Sequence, residues 1–399
     1  MPFIRGGSTY VLAGAHNITP YANNVSVNMD AGLVDDTVFG DTVRQYVQAG
    51  SKTANATISG FFDETSYIAQ TQGAGSDDIM SNRVTSGAVG LGFLTQTFNT
   101  TEGYAPLTLM WGGNTAGNPC FLGTILQATY DIGDTVGELI SFSANFESGG
   151  AFEVSSTGAK ATTQNAGFGR GVVLAPLAVY SSTSTPIGTV HDNSVPTFGA
   201  ALLNFHCQLS GTGATGTFRV EHSHDNTTWF TLGTFDNVTT ATGPFGQSLE
   251  TGVHWAGAVY RYLRAYQAAT MTGNQTVAIA AARLGREAVL LFGGTTLASA
   301  SAIGTVHDNG AATSNGAELK LNVNSATGTG TATFRVEHST DNFATSIVTL
   351  GTFTTNVTSA TVNVAETVKT TGTVHRYVRA YAITATSGGS TIGIMYARN

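Results

Sequence analysis

The chain has 399 residues, 41% of them hydrophobic, and a mean hydropathy of +0.06, enough apolar side chain to bury several cores and to exclude a disordered chain. Twenty-five acidic residues stand against 17 basic ones, and the excess is concentrated in residues 1–170, which argues against phosphate-gripping nucleic-acid recognition by that part. No 18-residue apolar run offers a membrane-spanning helix and no basic-plus-apolar leader opens the sequence, so a protein made and used in solution is expected.

Only 11% of residues are charged, while 49 glycines and abundant Thr, Ser, Ala and Val favour strands and turns. A mainly β protein is expected. Cys120 and Cys207 fall far apart, which predicts two small buried apolar residues rather than a disulfide framework.

Residues 1–170 carry 14 acidic and 6 basic residues, so the whole net charge of -8 resides there. Such local imbalance marks a surface whose field matters, or else ordinary solubility. Strand candidates are 23–30, 53–63, 106–112, 119–131 and 138–147. In the last, Ile140, Phe142, Ala144 and Phe146 alternate with polar residues, as a half-buried strand requires. A short helix is expected between 64 and 84, where Ser76 can cap a turn opened by Asp77 and Asp78.

Val34, Asp35, Thr37, Phe39, Gly40, Asp41 and Thr42 form a short acidic motif, followed after a polar loop by Ser59, Gly60, Phe61, Phe62 and Asp63. This arrangement resembles the tail tube proteins of long-tailed bacteriophages (siphophage major tail proteins) over about 150 residues. The resemblance implies a β-sandwich or barrel protomer that assembles into hexameric rings, with hairpins from each subunit closing an inner barrel, and rings that stack head to tail. An anionic lumen would then let viral DNA pass without specific binding. Val34, Asp35, Asp36, Phe39, Asp41 and Arg44 become candidate subunit contacts. VRQYVQ at 43–48 departs from the charged residue often found after the motif.

Residues 149–169, rich in Gly, Ala, Ser and Thr, suit a flexible linker. Beyond it the chain repeats itself. IGTVHDN at 187–193 returns at 303–309, TFRVEHSHDN at 217–226 returns as TFRVEHSTDN at 333–342, and YRYLRAY at 260–266 as HRYVRAY at 375–381. A repeat this long is a small domain. Short strands and polar turns predict tandem β-sandwich, jelly-roll-like modules at 171–290 and 291–399, after a tube domain at 1–170.

Within FRVEH, Phe218 and Val220 face a core while Arg219 and Glu221 face away, and Phe334, Arg335, Val336 and Glu337 repeat this. In YRYLRAY, Tyr260, Tyr262, Arg264 and Tyr266 share one face, and Leu263 and Ala265 share the other with Arg261. Tyr262, Arg264 and Tyr266, with Tyr377, Arg379 and Tyr381, form a candidate glycan platform through cation-π contact. The competing reading pairs each arginine with a carboxylate of the adjacent strand, Glu221 or Glu337. Trp229 meets Ile347 in the second copy, which argues for packing. The run from Ser223 to Phe235, with the following Arg-Tyr pair, is similar to discoidin and related carbohydrate-binding sandwiches, where it is largely structural.

GTGATG at 211–216 precedes a strand instead of a helix and reads as a hairpin turn rather than a phosphate cradle. His222 and His224 are answered by His338 and Thr340, which disfavours a metal site. His191-Asp192 and His307-Asp308 lack a nucleophile elbow. No enzyme, cofactor or metal is expected. The leading expectation is a virion structural protein, assembled in the host cytoplasm, that contacts itself and other tail proteins and displays its modules outside, where multivalency could hold host surface glycans. The alternative is a carbohydrate-binding tail adhesin or receptor-binding protein whose working part is the duplicated modules.

Overall fold

The structure, a computed structural model, describes residues 9–30, 33–35, 46–48, 53–61, 105–136, 138–148, 168–180, 185–210, 215–236, 238–239, 245–251, 258–268, 275–296, 300–326, 330–358, 361, 364–384 and 389–399. Every regular element among these is a β-strand. The helix expected between 64 and 84 lies outside the described residues, as does the linker expected at 149–169 up to residue 167; Phe168 and Gly169 instead open the strand Phe168–Tyr180.

In the N-terminal unit the strands Tyr10–Ala13, Ala22–Asp30, Thr53–Phe61, Ala105–Met110, Pro119–Gly133 and Ser141–Ser148 gather around a core that includes Val11, Ile18, Ile58, Leu109, Phe121, Phe142 and Phe146. Burying each of these large side chains stabilises the unit by roughly 1.5–3 kcal/mol. Ser141–Ser148 alternates as its sequence predicts, with Phe142, Ala144 and Phe146 inside. Ile140, read as part of that apolar row, precedes the strand and is exposed.

Each repeat is a sandwich of two four-stranded antiparallel sheets with the same strand order. In the first, Phe245–Glu250, Ala201–Ser210, Gln275–Arg283 and Phe168–Tyr180 oppose Thr185–Asp192, Tyr262–Gln267, Phe218–Ser223 and Phe230–Thr234. In the second, Val364–Thr370, Ala317–Ala326, Gly389–Arg398 and Val289–Thr296 oppose Ser301–Asp308, Tyr377–Thr384, Thr333–Ser339 and Val348–Thr352. Phe218, Val220, Leu263 and Ala265 are core in the first copy, and Phe334, Val336, Val378 and Ala380 in the second.

The repeated IGTVHDN is explained locally. Its strand bulges between Ile187 and His191, and again between Ile303 and His307. Gly188 sits there at φ 71°, where a Cβ would stand 1.9 Å from the Leu174 carbonyl oxygen, so no other residue fits. After the bulge Asp192 clamps Arg261 at 2.6 Å through both carboxylate oxygens, as Asp308 clamps Arg376 at 2.7 Å. SxDN is a turn: Ser223 donates to Asp225, which accepts from the Thr227 and Thr228 amides, and Ser339 donates likewise to Asp341.

The three units adjoin through paired strands and shared cores. Phe168–Tyr180 pairs with Gln275–Arg283 inside the first module and, through Phe168 to Val172, with Pro119–Gly133 of the N-terminal unit, giving one eleven-stranded sheet. Leu12, Met110, Cys120 and Leu122 share a core with Val173, Leu202, Ala278 and Ala280. Across this junction Ser248 donates to Asn204, Asn204 to Thr108 Oγ1 at 3.2 Å, and Thr108 to His206 Nε2 at 2.7 Å. His206 Nδ1 carries its proton toward the Gly14 carbonyl, which can only accept. At the second junction Phe198, Ala258 and Tyr260 of the first module pack on Met395 and Ala397 of the second. Gly393 lies so close that a Cβ there would meet Tyr260 Oη at 2.3 Å.

Candidate functional site

Outward-facing positions of Phe218–Ser223 and Tyr262–Gln267 meet in register: Arg219 opposite Tyr266 and Glu221 opposite Arg264. Glu221 is buried although it faces away from the core, because its neighbours cover it. Arg219 reaches one of its carboxylate oxygens at 2.5 Å and Arg264 the other at 2.6 Å. The guanidinium of Arg264 lies 4.0 Å from the centroid of Trp229 and 5.1 Å from that of Tyr266, while Arg219 lies 4.6 Å from Tyr266. The result is a layered stack of indole, guanidinium, phenol and guanidinium over a buried carboxylate. Two cations against one anion leave it net positive.

The second module builds the same stack. Arg335 and Arg379 bind Glu337 at 2.5 and 2.7 Å, and Arg335 lies 4.4 Å from Tyr381. Phe343 covers Arg379 at 4.0 Å, in the place of Trp229. This corrects the pairing of Trp229 with Ile347, which is exposed. The aromatic cover is retained but is supplied from inside the SxDN turn, where Asn342 and Phe343 take φ 57° and 67°. Aligning residues by order alone could not find it, because the two-residue length difference between the copies hides a change in which turn position points inward.

No family model and no curated protein matches this chain. Three similar solved structures are a chain of the virion of a native gene transfer agent particle, the SPP1 Dit (gp 19.1) hub protein of phages infecting Gram-positive bacteria, and a fucolectin from striped bass (Morone saxatilis) serum. The first is 13% identical with a TM-score of 0.26, covering 37% of this chain and 95% of that one. The second is 8% identical with a TM-score of 0.23, covering 69% and 98%. The third is 12% identical with a TM-score of 0.20, covering 56% and 85%.

The remaining candidates are dispersed. Tyr262 and Tyr377 stand apart from the layered stacks, each 4.8 and 5.0 Å from Arg261 and Arg376 respectively. Tyr260, read as sharing the outer face with Tyr262, precedes the strand and is buried at the inter-module junction, where its amide donates to His222 Nδ1. Burial pushes His222 down to about 3, so the ring is a neutral packing group stacked 4.5 Å from Tyr260. Val34 and Asp35 lie in the strand Leu33–Asp35, which pairs with Tyr46–Gln48. Asp36, Phe39, Asp41 and Arg44 lie outside the described residues. GTGATG is described only at Thr215 and Gly216, which pair with Val238 and Thr239. Among the described residues no group of three or more His, Cys, Asp or Glu side chains could hold a metal ion.

Proposed function

We propose that this chain is a structural subunit of a virion tail, the major tube protein, whose residues 1–170 self-associate into stacked hexameric rings while the two modules face outward. The observation that carries this reading is the hairpin formed by Pro119–Gly133 and Ser141–Ser148. From residue 131 to 136 every residue is exposed, and Ile132, Val136 and Leu139 are 52, 101 and 72% exposed. An apolar tip of this kind on an isolated protomer favours a covering partner, and a second copy presents the same surface. The hairpin also carries Asp131, Asp134, Glu138 and Glu147 with no Lys or Arg from 128 to 148, so a ring of hairpins would be anionic and repel DNA phosphates.

Negative-stain micrographs of the purified chain test this reading: rings or tubes are expected, and Val136→Asp with Leu139→Asp should leave discrete particles. Tubes that form and deliver DNA normally with Asp131, Asp134 and Glu138 changed to Lys would remove the anionic-lumen part. Assembly in the host cytoplasm, together with other tail proteins, follows from the same reading.

The retained stacks favour a second reading, a carbohydrate-binding tail adhesin. Aromatic faces beside a fixed guanidinium suit sugar C–H faces and hydroxyls. A discrete monomer or trimer that binds host-surface glycans, and loses them on combined Trp229→Ala and Phe343→Ala substitution, would favour it over the tube.

A further inference from the structure

A cavity of about 410 Å³ opens where the N-terminal unit meets the first module. Gly117 and Pro119 wall it from one side, Arg170 from the connecting strand, and His191, Thr197 and Arg283 from the module. It shares no residue with the aromatic stacks. Its size lies within the range of small-molecule sites, roughly 300–1,000 Å³.

Two polar groups there are only partly satisfied by the protein. Thr197 is buried, and its Oγ1 has no hydrogen-bond partner among the described residues. Arg283, half-buried, donates through Nη1 to the Val195 carbonyl at 2.6 Å and meets no carboxylate within ion-pair distance among the described residues. Burial lowers its pKa and Glu287 only partly opposes this, so a further anion arriving beside it adds to the stabilisation of the charge. Arg170 and Arg283 against Glu287 leave the lining one positive charge in excess, while burial and Arg283 lower the His191 pKa and favour its neutral form, able both to donate and to accept. Val172, Leu263 and Ala281 add apolar surface.

The duplication supplies an internal comparison. His307 and Arg398 repeat His191 and Arg283, and Arg398 donates to the Ala311 carbonyl at 3.1 Å. Among the described strands, however, only the first module joins the N-terminal sheet, so the walls formed by Gly117 and Pro119 belong to the first copy alone. We infer that this cavity is a binding site for a small monoanionic sugar acid of the hexuronate class, its carboxylate on Arg283 and Arg170 and its hydroxyls on Thr197, His191 and Glu287. The site is independent of tube assembly and of glycan capture by the stacks.

Calorimetric titration of the full chain with glucuronate, glucose and inorganic phosphate tests the inference. Saturable glucuronate binding is expected, at least about tenfold tighter than either of the others, because glucose lacks the charge and phosphate lacks the ring. Arg283→Gln should weaken it at least about tenfold, whereas Arg398→Gln in the second copy should leave it unchanged. If circular dichroism shows that Arg283→Gln is misfolded, exposed Arg170→Gln carries the test, and an unchanged affinity there overturns the assignment. So does glucuronate that fails to saturate by about 10 mM, phosphate that binds equally well, or an equal loss in Arg398→Gln. Binding of whole cells by the adhesin reading is measured separately and can survive any of these results.

Discussion

Glu221 and Glu337 are the residues on which the outer faces of the modules depend. Each is a carboxylate held by two guanidiniums beneath an aromatic cover, so removing it leaves two partly buried cations without a counter-charge. Glu221→Ala should destabilise the first module by about 3 kcal/mol, read as a lower denaturant midpoint in the fluorescence of Trp229. At the opposite stack, Phe343→Ala should cost about 1–2 kcal/mol while Ile347→Ala stays within about 0.5 kcal/mol. Equal effects would mean that the aromatic cover on Arg379 is incidental. The contrast also shows what one sequence can disclose about a residue. The pairing of Arg264 and Arg379 with Glu221 and Glu337 was one of two readings available from strand alternation alone. The identity of the covering ring was not, since it depends on a positive-φ turn whose side-chain direction no periodicity encodes.

Among the elements, strands with strict alternation or continuous apolar runs were legible, as Ser141–Ser148 and Ala105–Met110 show. The joint between units was not. Asn204 and His206 lie on a central strand, and their partners Thr108 and Gly14 are far away in the chain. Burial lowers the pKa of His206 from 6.5 to about 4, against a weaker opposing contribution from the Gly14 carbonyl. A base with a depressed folded pKa binds fewer protons than the unfolded chain between those two values, so stability is complete above pH 6.5 and declines as pH falls toward 4. The loss amounts to roughly 3 kcal/mol at most. Hydrogen exchange in Ala201–Ser210 should accelerate from pH 7 to about 4.5, after correction for intrinsic exchange, and His206→Gln should flatten that dependence. An unchanged slope in the variant would move the acid sensitivity elsewhere.

For the whole molecule, the modules differ most where the first meets its neighbour. Phe198 and Tyr260 of the junction correspond, through the matching Thr197–Val259 and Thr313–Val374 pairings, to Ser314 and His375 at the far end of the second module. The amide of His375 donates to His338 as that of Tyr260 does to His222, but His375 is only partly buried where Tyr260 is fully buried. A chain ending at residue 290 would uncover Phe198, Phe230, Ala258 and Tyr260 together. It should bind a hydrophobic dye and self-associate by light scattering, and the separately added second module should reverse both.

The shared sheet has a mechanical consequence. Phe168 to Val172 engage Pro119 to Gly123 over five residue pairs aligned along the strands, and no hinge intervenes between that contact and the core of the first module. A tug on the modules along that direction loads these pairs in shear, all at once, instead of peeling them one by one. Strain applied to the modules is thereby delivered directly to Pro119–Gly133, the strand whose other end forms the apolar hairpin tip.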